Sequence, residues 1–336
     1  MRTIRWLFLI FYMSTFLACT DQDQVAPLVP DDTTDTPVND ASTPEIEWVS
    51  SLDLSIAVSS STSNEITSLT SGERDYKPVF SPDGTQVAFF RIVESRSNQP
   101  EDWDTQICVI NVDGTGIKTL TSGEYTDWNP MWTRDGTNQV IFSRFFQRAP
   151  YTTRVYVVDP SGETEEELVS DDQYSEFAYS GLKDGRILVR RIQHTRANSY
   201  WLLTPEAETP AYQMLDYPDV FLHKMSISPN EDRVTYMKVV DGPNIYGDAV
   251  LAYADFDPEG LSISNEQVFT FHNPSDVVWY PCWNEEETHI IYSLISSANG
   301  GNGQIMAYEL NNRTTSRLSR NSGRSYWYPN VKGVVK

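Results

Sequence analysis

The 336-residue sequence predicts an all-β fold, a six-bladed β-propeller of four-stranded antiparallel blades. Three observations predict it. The stretches KPVFSPDGTQVAFFR and NPMWTRDGTNQVIFSR spell the same Pro-x-aromatic-Ser/Thr-x-Asp-Gly pattern, their aromatic residues Phe80 and Trp132 lying 52 positions apart, which is the spacing of a radial repeat. Each repeat contains short runs rich in β-branched and aromatic residues, bounded by Gly, Pro, Asn and Asp. No stretch of the chain shows a helical apolar period.

Residues 1–18 stand apart from this pattern. Arg2 and Arg5 precede an apolar run, Trp6 to Ala18, which is shorter than the roughly 20 residues a membrane span needs and fits a secretory signal. The run ends in FLAC, which resembles a bacterial lipobox, and the resemblance implies that Cys19 is acylated and becomes the mature N-terminus. Residues 19–46 follow as a lipid-anchored tether rich in Asp, Thr and Pro. Such a segment buries too little apolar surface to offset its ordering entropy, and as a flexible coil its ends lie roughly 30 Å apart. The propeller occupies residues 47–336.

Within it, six units are anchored on Phe80, Trp132, Tyr179, Ile227, Trp283 and Val331. The anchor lies on a first strand, and Asp and Gly in the following turn supply a side-chain hydrogen bond and a positive φ. Second strands are read at QVAFFRI, QVIFSRF, RILVRRI, RVTYMKV and HIIYSLI, and third strands at QICVINV, RVYVVDP, YWLLTP, VLAYADF and IMAYEL. Shorter fourth strands include IKTLTS and TSRLSR. A four-stranded sheet of this kind is apolar on both faces, and stacking around a ring buries them. The last unit stops after its first strand, and LDLSIAV with ITSLTS near the other end supplies the missing partners, closing the ring. At Tyr179 the unit is irregular, with two extra residues before its turn.

The Pro-x-aromatic-Ser-Pro-Asp-Gly repeat, with third strands ending as NVDGTG at 111–116 and a Leu120-Thr121 step, resembles the TolB-type, WD-like propeller repeat. The resemblance covers residues 50–336. It implies the fold, and it implies a periplasmic interaction scaffold only by class, because propellers host unrelated functions. TolB proteins add an N-terminal α/β domain, where this chain has the tether.

The repeat register separates Cys108, on a third strand, from Cys282, on a first strand two units away, beyond the roughly 7 Å Cα limit of a disulfide. Two free, buried thiols are expected. The formal net charge is −22, and −24 without Arg2 and Arg5. An acidic chain repels phosphate backbones, so no nucleic-acid partner is expected.

In a four-stranded blade the first-to-second and third-to-fourth connections emerge on one side of the disc, and here they are tight turns. The second-to-third and blade-to-blade connections emerge on the other and are long, and long loops on a rigid scaffold are where recognition resides. Four residues before the anchor, where the chain enters the innermost strand on the long-loop side, stand Tyr76, Trp128, His223, Trp279 and Trp327. Trp103 and Tyr246 extend the set as a rim. Two readings are open: a ring platform at the channel mouth for a glycan or a peptide segment, or rings packed between blades. Arg74, Asp75, Asp127, Arg191, His194 and Arg324 lie near the same mouth, where exposed charges are ordinarily solvated.

Catalytic and metal signatures are weak. The four histidines, His194, His223, His272 and His289, lack metal-ligand spacing such as H-E-x-x-H. There is no Gly-x-Ser-x-Gly nucleophile turn, and no phosphate-cradling Gly loop that opens a helix. No cofactor and no metal are expected. The sequence therefore points to a monomeric cell-envelope lipoprotein, periplasmic or at the cell surface. Thr20 after Cys19 does not resemble the Asp-based inner-membrane retention signal, which favours the outer membrane. Its partner would be an envelope protein or a glycan, bound through the long-loop face. The alternative is a carbohydrate-binding or carbohydrate-active propeller: oligogalacturonate lyases resemble this fold, but need a histidine cluster with a metal in the channel.

Overall fold

The computed structural model describes residues 45–332, apart from 63–64, 73, 98–101, 147–151, 169–172, 194–197, 206–210, 217–221, 240–248, 270–275, 297–301 and 320–325. Among the described residues the strands form six four-stranded sheets, every strand pair within them antiparallel.

The chain starts inside the last blade with β1 (Glu47–Leu52), β2 (Ser55–Ser60) and β3 (Ile66–Ser68). Blade 1 comprises β4 (Asp75–Phe80), β5 (Gln86–Ser95), β6 (Trp103–Asn111) and β7 (Lys118–Thr119). Blade 2 comprises β8 (Thr126–Trp132), β9 (Val140–Phe146), β10 (Thr152–Val158) and β11 (Glu165–Glu167). Blade 3 holds β12 (Tyr174–Gly181), β13 (Ile187–Gln193), β14 (Asn198–Thr204) and β15 (Ala211–Met214). Blade 4 holds β16 (Leu222–Ile227), β17 (Arg233–Val239), β18 (Ala249–Asp257) and β19 (Ser262–Phe269). Blade 5 holds β20 (Val277–Trp283), β21 (His289–Ile295), β22 (Gly303–Glu309) and β23 (Thr314–Arg317), and β24 (Tyr326–Val331) completes blade 6 as its first strand.

Six hydrophobic clusters hold the ring together, and each draws on two neighbouring blades. Phe90 and Ile107 of blade 1 meet Trp132 and Phe142 of blade 2, and Val49 and Ile56 of blade 6 meet Phe80 and Phe89 of blade 1. The apolar surface of each sheet is thus buried by its neighbours, and each fully buried aromatic contributes about 2 kcal/mol. Side chains pin the same seams. Trp132 Nε1 donates to the Val79 carbonyl of the preceding blade at 3.1 Å, and Trp283 Nε1 does the same to Ser226 at 3.1 Å.

Ring closure follows the expectation in position and differs in detail. β24 pairs with β1, matching Trp48 with Val331 and Leu52 with Tyr326. LDLSIAV is not one strand, however. Asp53 and Leu54 both adopt positive φ, 48° and 75°, and form a two-residue hairpin turn between EWVSSL and SIAVSS. Left-handed geometry at both central residues matches the twist of the flanking strands, but an Asp-Leu pair does not announce it. One strand from the C-terminal end and three from the N-terminal end therefore make blade 6.

The irregular unit is also re-registered. Gly181 pairs with Ile187 and Leu182 N bonds the Arg186 carbonyl, as Phe80 pairs with Val87 and Ser81 bonds Gln86. Gly181, not Tyr179, occupies the anchor position, and its turn has no insertion. A Cβ there would stand 3.3 Å from the Trp132 carbonyl oxygen, which leaves little room for a side chain. Cys108 and Cys282 are buried and not disulfide-bonded, in separate clusters.

Candidate functional site

The proline of the repeat builds the channel. On β4, Tyr76 pairs with Phe90 and Val79 with Ala88, so Lys77 and Pro78 together oppose one residue of β5. The same bulge lies between Trp128 and Met131, between Trp279 and Cys282 and, in blade 4, between His223 and Ser226. A bulge leaves one residue outside the ladder, and proline, which has no N–H to donate, fits there: Pro78, Pro130, Pro281 and Pro329 are all buried. The residue before the proline takes the left-handed conformation, at Lys77 (φ 50°), Asn129 (51°), Tyr280 (53°) and Tyr328 (55°), and Lys224 (53°) does so in blade 4.

The expected aromatic residues therefore stand one step away from the axis-facing ones. Tyr76 stacks on Phe90 with ring centroids 5.5 Å apart and meets Tyr328 edge-on at 6.4 Å. Trp128 packs against the seam of blades 1 and 2 and lies 6.2 Å from Phe177. Trp279 packs on the seam of blades 4 and 5 and lies 5.6 Å from Tyr280, and Trp327 lies 6.4 Å from Tyr328. The backbone of His223 pairs with Met237. With the anchor of blade 3 moved to Gly181, Phe177 is the sixth member of this series, which the Tyr179 register had hidden.

The remaining expected residues are structural in their contacts. Trp103 is buried in the seam of blades 1 and 2, its Nε1 donating to the Ser97 carbonyl at 2.9 Å. Arg74 bonds Ser95 Oγ at 3.2 Å. Asp75 is fully buried and accepts two bonds from Arg91, at 2.7 and 3.0 Å. Asp127 receives the same fork from Arg144 at 2.7 and 2.8 Å, and Glu176 pairs with Arg191 at 2.9 Å. These carboxylates are buried ion-pair partners, a correction to the expectation of solvated charges near the mouth: the inner strand takes them out of water, and the matching arginine on the second strand satisfies them. His289 is buried, with its Nδ1 and Thr288 Oγ1 hydrogen-bonded at 2.9 Å, and burial holds its pKa below the usual value. Cys19, Tyr246, His194, His272 and Arg324 lie outside the described residues.

Nearest the axis, the bulge residues meet. Lys77 Nζ donates to Asn129 Oδ1, and Lys224, from the opposite blade, shares the Tyr280 ring with it, 4.8 Å from the centroid. The Tyr280 and Tyr328 rings are 4.4 Å apart, and Lys77 lies over both, 5.0 and 5.7 Å from their centroids. At the tight-turn end Arg134 of blade 2 reaches blade 4, donating to the carbonyls of Ser228 at 3.3 Å and Pro229 at 2.9 Å. Glu231, Glu285 and Glu287 face its charge. Among the described residues no group of three His, Cys, Asp or Glu side chains could hold a metal ion.

No protein-family model matches the sequence, and neither does any curated protein. Solved structures do match in shape. TolB from Acinetobacter baumannii superposes with a TM-score of 0.65 at 13% identity, over 86% of this chain and 66% of that one. Kuenenia stuttgartiensis hydrazine synthase gives 0.65 at 14% identity over the same share of this chain and 47% of its own. A putative TolB from Agrobacterium tumefaciens gives 0.56 at 10% identity, over 86% of this chain and 99% of that one. The chain thus spans less than two thirds of the first two structures it matches. It is a six-bladed β-propeller of the TolB-like fold.

Proposed function

We propose that this chain is a cell-envelope lipoprotein propeller, acylated at Cys19, that binds another envelope protein through the face bearing its long connections. The single observation supporting this is the asymmetry of the disc. Strand order puts the tight Asp-Gly turns at one rim, while the segments that join second to third strands at the other rim, such as VESRSNQPEDWDT and VDGPNIYGDA, are long in the sequence. The series Tyr76, Trp128, Phe177, His223, Trp279 and Trp327 stands near the start of the innermost strands, where the blade-to-blade connections enter. A ring with long connections on one face suits recognition better than chemistry, and a periplasmic or outer-membrane location fits the lipobox and tether. The TolB-like shape is compatible with such a role.

Affinity purification of the full chain from envelope extract tests this. One partner should co-purify, and Trp327→Ala should release it while circular dichroism stays unchanged. Retention of the partner by Trp327→Ala and Tyr76→Ala alike would remove the aromatic series from the interface. Quenching of tryptophan fluorescence by oligosaccharides, with no protein partner, would replace this reading by the glycan-binding one.

A further inference from the structure

Five of the six innermost strands hold an L-residue in the left-handed region, at Lys77, Asn129, Lys224, Tyr280 and Tyr328. Such residues are strained by about 1–3 kcal/mol each, and strain of this kind concentrates at functional positions. A ring that needed only a bulge could use glycine there at no steric cost. This one places two lysines, from blades 1 and 4, on opposite sides of the axis.

The two amines converge. Lys77 and Lys224 both lie over the Tyr280 ring, 5.0 and 4.8 Å from its centroid, close enough for each charge to act on the other. Lys77 also donates to Asn129 Oδ1. Two ammonium groups this close repel, so the pair holds its second proton weakly. Burial pulls both down, Lys77 to about 7 and Lys224 well below the usual lysine value, the latter helped by the charges of Lys77 and Arg190. The groups facing the pair are Arg190 from β13, the phenols of Tyr280 and Tyr328 and the amide of Asn129. Lys224 is buried and Lys77 half-buried.

We propose that Lys77 and Lys224 form an axial anion site, in which a small oxyanion or carboxylate accepts a hydrogen bond from each Nζ and draws a proton from solvent onto the pair. The anion gives each Nζ a charge-assisted acceptor and relieves the repulsion between the two amines, and Arg190 adds to the positive potential. The balance is one anion and up to one proton taken up, with no other bond made or broken. Binding weakens as pH rises through neutrality, because the second proton is then harder to add.

Pulse acetylation of the full chain with acetic anhydride at pH 7, read by mass spectrometry, tests the site. In sodium chloride Lys77 should react at least about tenfold faster than exposed Lys118, since its amine is far less protonated. Inorganic sulfate or succinate at equal ionic strength should slow Lys77 several-fold and leave Lys118 unchanged. Protection by sulfate identifies a general oxyanion site, and protection by succinate alone identifies a carboxylate site. Lys224→Met should abolish the protection. Calorimetry of the unsubstituted chain in buffers of different ionisation enthalpy should show proton uptake on binding. Equal slowing at Lys118, protection that survives Lys224→Met, or no protection by either anion would overturn the proposal.

Discussion

Asp83 shows what the repeated Asp-Gly-Thr turn does at the level of one side chain. Its Oδ1 accepts from Thr85 N at 3.0 Å and Thr85 Oγ1 at 2.8 Å, and from Ser81 Oγ at 2.5 Å, while Gly84 supplies a φ of 67°. Asp113 and Asp135 make the same pair of bonds to Thr115 and Thr137. Burial opposes the Asp83 charge, but the bonds from Ser81 and Thr85 outweigh it and hold its carboxyl below the usual aspartate range. Asp83→Ala is expected to cost about 1 kcal/mol, lowering the melting temperature by about 2 °C. The bonds to Asp113 and Asp135 likewise depress those carboxyls. A depressed folded pKa means that the unfolded chain takes up protons first as pH falls. Stability from these turns is therefore complete above the ordinary aspartate value and declines below about pH 4. Thermal unfolding followed from pH 7 to pH 3 checks it: a melting temperature that stays flat below pH 4 would contradict the turn assignment. The turn itself was legible in the sequence, because Asp, Gly and Thr act over two residues.

At the scale of the element, the innermost strand combines four jobs in four consecutive residues. In β8, Asp127 binds the second-strand arginine, Trp128 fills the seam, Asn129 turns to the axis and Pro130 makes the bulge. Sequence spacing located the aromatic residue but not the direction in which it points, because a bulge shifts every later side chain by one face. The proline next to it was the available signal: a proline inside an interior strand implies that the ladder is interrupted there. β24 is the element on which closure depends, since it is the innermost strand of blade 6 and its partners come from the other end of the chain. Removing residues 326–336 would leave β1 with an unpaired edge and the seam of blades 5 and 6 without Tyr326. Such a chain should lose its cooperative thermal transition and its near-ultraviolet circular dichroism, and a sharp transition near that of the full chain would show that closure lies elsewhere.

For the whole molecule, the axis is where blades distant in sequence meet. Arg134 joins blade 2 to blade 4, and Lys77 joins blade 1 to blades 2, 4, 5 and 6. Arg134→Ala removes a charged donor from two carbonyls and the guanidinium 3.6 Å from Glu231. The expected cost is about 2 kcal/mol, seen as a lower urea midpoint with an unchanged slope. An unaltered midpoint would mean that the disc does not depend on this tie.

The number of blades, their repeated Asp-Gly turns, the closing strand and the unbridged thiols follow from the sequence alone, because repeat period and turn chemistry are local properties that neighbouring residues dictate. The axial group of Lys77, Asn129, Lys224, Tyr280 and Tyr328, and the burial of Asp75 and Asp127 against their arginines, were decided only by the closed ring. The axial residues, roughly 50 to 250 positions apart, become neighbours through sixfold stacking, and a one-residue bulge determines which of two adjacent side chains reaches the channel.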